Sequence, residues 1–134
     1  MRRGSFIVCL LFAVYSCDFY DYRLTIINNT GSSICVETFH NAEPVSDELN
    51  QTEYYLSDEI TSNTNRKLME TGRNGWEDRI DKSPNKKLNL VVFKIDSIKK
   101  YGNINYLLEN KIYDLYTFSK KELEEKKWKI SIDH

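Results

Sequence analysis

Apolar and polar positions fall in short, strand-length blocks along most of this chain. Residues 22–28 and 33–39 are both rich in aromatic and β-branched side chains, as strands are. Between them lies Asn28-Asn29-Thr30-Gly31-Ser32, with Gly31 available for a left-handed turn, so the pair is expected as a hairpin. Residues 40–52 are polar and hold Pro44, which reads as a loop. Residues 53–60 carry a weak alternation, Tyr54 with Leu56 and Tyr55 with Ser57, and are read as a strand. Residues 67–71 are expected as a short strand. Gly72-Arg73-Asn74-Gly75 lacks the third glycine and the strand–helix setting of a phosphate loop, so it reads as a plain turn. Residues 76–80 are expected as one helical turn laying Trp76 and Ile80 on the core.

The strongest strand is 87–95. Val91, Val92 and Phe93 are consecutive and apolar. Successive strand side chains point to opposite faces, so both faces are buried and the strand is central. Asp96-Ser97 opens a change of regime. Ile104, Leu107 and Leu108 then follow the spacing of one face of a short helix, and 111–118 is again a strand. Ser119-Lys120-Lys121-Glu122 has the capping-box pattern. The helix it starts would put Leu123 on the core and Lys126 and Lys127 near the negative end of the dipole. Trp128, Ile130 and Ile132 alternate with polar residues and would face inward from a closing strand. The expected fold is mainly β: an antiparallel β-sandwich of Ig-like size with one or two short helices near the C-terminus. An open sheet with the helices on one face is the alternative.

The N-terminus breaks this pattern. Met1-Arg2-Arg3 is basic, and residues 6–16 form an uncharged, mostly apolar run of eleven residues. As a helix that run spans roughly 16 Å, against a bilayer core of about 30 Å. It fits the apolar region of a secretory signal peptide. Val14-Tyr15-Ser16-Cys17 resembles the bacterial lipobox, with Val14 and Ser16 in place. The resemblance implies cleavage between Ser16 and Cys17 and acyl chains on Cys17, which anchor stably because each buried methylene contributes about 0.8 kcal/mol. Ordinary cleavage leaving Cys17 as a plain thiol is the other reading. The expected organisation is a signal peptide (1–16), a lipidated tether (17–21) and a single β-rich domain (22–134).

Removing residues 1–16 leaves 118 residues, enough for a core without metals or bridges. It takes away two basic residues and no acidic one, so the net charge moves from −1 to −3. The lysine pairs are short and diluted by acids, which argues against nucleic acid as a partner. With Cys9 in the signal and Cys17 acylated, Cys35 is left as a small buried apolar residue. A Cys17–Cys35 bridge is the competing reading.

No spacing of His, Cys, Asp or Glu suggests a metal, and no pair of carboxylates is singled out for acid–base work. His40 reads as a strand-end surface residue, while Asp47-Glu48 and Glu122 with Glu124-Glu125 read as solvated charge. The chain is therefore expected to be non-catalytic and to need no cofactor. Trp76, Tyr54 and Tyr55 are the ligand-contact candidates, because exposed aromatics suit sugar or protein contacts, and a place in the core is the other reading of each.

Asp96-Ser97-Ile98 with a following Tyr, then Tyr116-Thr117-Phe118-Ser119, Glu122-Leu123 and Trp128-Lys129-Ile130, resemble a group of small, uncharacterised lipoproteins of Bacteroidetes type. The segment 22–29 and the strand after it are also similar. The resemblance implies a β-rich fold in the cell envelope, anchored to the outer membrane through the N-terminal lipid, on its periplasmic or surface face. It brings no catalytic residues. Asp96-Ser97-Ile98 also matches the Asp-Ser/Thr-aliphatic pattern of that group's O-glycosylation sites, which leaves glycosylation of Ser97 open. The resulting expectation is an envelope binding or interaction module with a glycan or an envelope protein as ligand. The alternative is a structural accessory acting through a protein partner.

Overall fold

The computed structural model describes residues 19–46 and 51–134. The first half contains strands β1 (Tyr20–Asp21), β2 (Thr25–Asn28) and β3 (Ile34–Phe39), helix α1 (Thr52–Ser57), strands β4 (Asn65–Lys67) and β5 (Glu70–Thr71), and helix α2 (Gly75–Lys82). The second half contains β6 (Leu88–Lys94), α3 (Ile95–Tyr101), α4 (Ile104–Glu109), β7 (Asp114–Phe118), α5 (Lys120–Glu125) and β8 (Lys129–Ile132).

These strands make three small sheets instead of a sandwich: β1–β5, β4–β2–β8 and β3–β6–β7. The fold is mixed α/β, and helices occur throughout the described residues, not only near the C-terminus. The antiparallel β-sandwich expected from the sequence is therefore corrected, for three physical reasons.

The first is the turn at Asn28. Its side-chain amide donates to the carbonyls of Ser32 and Ile60, both at 2.9 Å, and its oxygen accepts from the Thr30 N–H (3.0 Å) and hydroxyl (2.7 Å). Asn28 is fully buried with these four bonds made. They fold the turn onto Ile60, and β3 leaves for another sheet. The second reason is that residues 52–57 are a helix, which buries Tyr55 beside Phe93. The third is that β8 pairs parallel with β2, from Thr25↔Lys129 to Asn28↔Ile132, which a simple antiparallel sandwich does not contain.

β6 is the central strand that its apolar run predicted. It pairs with β3 from Ile34↔Lys94 to Phe39↔Asn89, and with β7 on its other side. Its two faces feed two cores. Leu88, Leu90 and Val92 join Val36, Leu24, Ile26, Trp76, Ile80, Leu123, Ile130 and Ile132. Val91 and Phe93 join Cys35, Tyr55, Ile95, Ile98, Ile104 and Leu107. Each fully buried aliphatic side chain contributes about 1.5–3 kcal/mol, so these clusters hold the layers together. Helices α1, α3 and α4 thus cover one face of β3–β6–β7, and the β4–β2–β8 sheet with α2 and α5 covers its opposite face.

The capping box at Ser119 forms as the sequence predicted. The Glu122 N–H donates to Ser119 Oγ at 3.2 Å, and the Ser119 N–H donates to Glu122 Oε2 at 2.7 Å. Leu123, Trp128, Ile130 and Ile132 are buried, as expected. Residues 67–71 do not form one strand: Leu68 and Met69 separate β4 from β5.

Candidate functional site

The three aromatic candidates occupy different environments. Trp76 is 1% exposed, and its indole N–H donates to the Asp21 carbonyl at 3.0 Å. Tyr55 is buried edge-on against Phe93, with ring centres 5.6 Å apart. Tyr54 is 52% exposed. Neighbours in a helix are about 100° apart around its axis, so α1 turns one tyrosine to the core and the other outward. The three do not form one exposed patch.

Tyr54 and Trp76 do meet at a single groove of about 360 Å³. One wall is β3 at residues 36–38. The facing wall is residues 66–70, with Asp58 at one end and Arg79 at the other. Val36, Leu68 and Trp76 give the groove an apolar lining, and Met69 is half exposed.

Charged side chains organise the walls. Arg79 Nη1 donates to Glu70 Oε2 at 2.8 Å, and Nη2 donates to the Thr38 carbonyl at 3.1 Å, so α2 is tied to both walls. Arg79 Nε is buried without a hydrogen-bond partner among the described residues. Arg66 pairs with Asp58 and donates to the Glu59 carbonyl at 2.7 Å. The Tyr54 side chain interacts with Glu37. Burial pushes the Glu37 carboxyl above the usual range and Asp58 adds to that, while the interaction with Tyr54 and the charge of Arg79 offset part of it. Tyr54 is raised in turn, chiefly by the charge of Glu37.

Main-chain groups also face the gap. Ile34 exchanges hydrogen bonds of 3.0 and 2.7 Å with Ile60, on the side of β3 away from β6. Strand alternation puts the amide and carbonyl of Val36 on that same side, past the end of the bridge. On the opposite wall the Leu68 N–H donates to the Leu24 carbonyl at 2.8 Å, so the neighbouring Lys67 groups turn away from β2. The groove therefore lies between two sheet edges.

Other sites named from the sequence fall elsewhere. Cys35 is buried, and burial pushes its thiol far up, which leaves it protonated. His40 is exposed just past β3, its carbonyl accepting from Asn89 at 3.3 Å. Ser97 lies half-buried in the first turn of α3, beside a second cavity of about 310 Å³ that Lys94, Lys111 and Tyr113 also line. Among the described residues, no group of three or more His, Cys, Asp or Glu could hold a metal ion. Ser16, Cys17, Asp47 and Glu48 lie outside the described residues.

Glu37, Arg66, Glu70 and Arg79 were not singled out by sequence reasoning. They come from four segments with no shared spacing, and only the β3 register and the packing of α2 bring them together.

No protein-family model, curated protein or solved structure matches this chain. No helix among the described residues is long and apolar enough to cross a membrane.

Proposed function

We propose that the chain is an envelope lipoprotein, acylated at Cys17 and held on the outer membrane, that works without catalysis by binding an extended segment of a protein partner. The signal-like N-terminus and the lipobox resemblance support the anchor. The observation that carries the binding reading is the groove between the outer edges of β3 and β4. An extended peptide there can pair with the outward groups of Val36 and Lys67, as in strand addition to a sheet edge. Its apolar side chains would meet Leu68 and Met69, over a floor of Val36 and Trp76. The charges on the walls already pair with one another, so they shape the groove more than they attract an ion. A glycan fits less well, because Tyr54 is the one exposed ring among the three aromatic candidates.

The reading is tested by probing a peptide array and a glycan array with the Cys17→Ser protein, then mapping amide shifts with the hits. Peptide hits that perturb residues 36–38, 54 and 67–70 are the expected result. Shifts confined to other surfaces, or no peptide hits, would overturn it. Glycan hits mapping to the groove would change the ligand class. The anchor has its own test: labelled palmitate should enter the wild type and not Cys17→Ala.

A further inference from the structure

We propose that the residues where the chain enters the domain form a lipid-contacting face, so that the domain sits against the bilayer in a fixed orientation. This rests on the acylation of Cys17 proposed above.

Within the stretch expected as a tether, residues 19–21 are already tied to the domain. The Phe19 carbonyl accepts from the Gly72 N–H at 2.7 Å, and β1 pairs with β5 through Tyr20↔Thr71 and Asp21↔Glu70. Asp21 is 3% exposed. Its carboxylate accepts from the Trp76 N–H at 3.3 Å and from the Arg23 side chain at 2.9 and 2.6 Å. The chain is thus clamped to the core within four residues of Cys17. Two residue steps, from Cys17 to Phe19, span at most about 7 Å. A lipid on Cys17 therefore holds the Phe19 end of the domain at the headgroups.

The side chains at that point suit the position. Phe19 is 51% exposed, Tyr20 44% and Tyr22 51%. Tyr20 and Tyr22 contact each other with ring centres 6.2 Å apart, and the exposed Arg73 places its guanidinium 4.7 Å from the Phe19 ring centre. Tyrosines concentrate at membrane–water interfaces, where the ring meets acyl chains and the hydroxyl meets headgroups. Arginine recognises phosphate bidentately and would offset the repulsion of Asp18 by anionic lipid. Three large aromatic side chains left in solvent beside an acyl anchor are an interfacial footing.

The test uses the full-length acylated protein in vesicles of phosphatidylethanolamine and phosphatidylglycerol that contain a shallow spin-labelled lipid quencher. Tyr22→Trp and Tyr20→Trp report on the proposed face. Tyr106→Trp, on the exposed side of α4 beyond the opposite layer, is the control; the native Trp76 and Trp128 are buried and common to all. Quenching and a blue shift at positions 20 and 22, with neither at 106, are expected. Equal quenching at all three in vesicle-bound protein would overturn the seating while leaving the anchor intact. A wild type that takes up no palmitate and does not float with vesicles would overturn both.

Discussion

Asp21 is the residue on which the N-terminal clamp turns. Burial acts to raise its carboxyl, but hydrogen bonds from the Arg23 side chain and from the Arg23 and Trp76 N–H groups outweigh that and hold it below the ordinary value near 3.8. Glu77 is lowered too, first by its hydrogen bond from Arg23. A carboxyl depressed on folding contributes stability that is present above its unfolded pKa and lost as pH falls through the folded one. Asp21→Asn should therefore cost about 1.5 kcal/mol at neutral pH, near the low end for hydrogen bonds to charge because Arg23 is part-exposed. Urea unfolding at several pH values checks this. The gap between wild type and variant should narrow as pH falls below about 4, where the unfolded carboxyl takes up its proton, and on through the lower folded value. A gap that widens in acid would contradict the clamp.

At the scale of elements, the end of α5 carries local strain. Lys127 (φ 53°) and Trp128 (φ 59°) are consecutive left-handed residues, reversing the chain so that the Trp128 N–H reaches the Leu123 carbonyl at 2.8 Å. The left-handed region costs an L-residue about 1–2 kcal/mol. Lys127→Gly should relieve that and, after the greater freedom of glycine in the unfolded chain is subtracted, stabilise by about 0.5 kcal/mol. A denaturation midpoint that moves down would contradict it. Trp128 has no such replacement, since its indole is buried under the Arg23 guanidinium, 4.5 Å from the ring centre. Elements were legible where local signals agreed. The run at residues 91–93, the Ser119–Glu122 cap and the 104–107–108 face each have one reading. Tyr54-Tyr55-Leu56-Ser57 does not, because over so few residues a period of two and a period of 3.6 place the apolar groups equally well. Gly31 predicts the turn at 28–32, whereas its course is set by Asn28 bonding a carbonyl 32 residues away. The groove was illegible for the same reason: Glu37 meets Tyr54, and Arg79 meets Thr38, only after distant segments have packed.

At the scale of the whole molecule, β2 and β8 join the two ends of the domain. Ile130 and Ile132 are 2% and 1% exposed, and each buried isoleucine is worth about 1.5–3 kcal/mol. Small domains are stable by only about 5–15 kcal/mol, so a chain ending at Trp128 should lose its cooperative thermal transition, read by near-ultraviolet circular dichroism. A sharp transition in that truncated chain would mean that β8 is dispensable. The pairing also has a bearing on biogenesis. An early strand whose parallel neighbour is made so much later can pair with β4 first and completes its sheet only afterwards. During synthesis that sheet would stay open on one side until residues 129–132 had emerged.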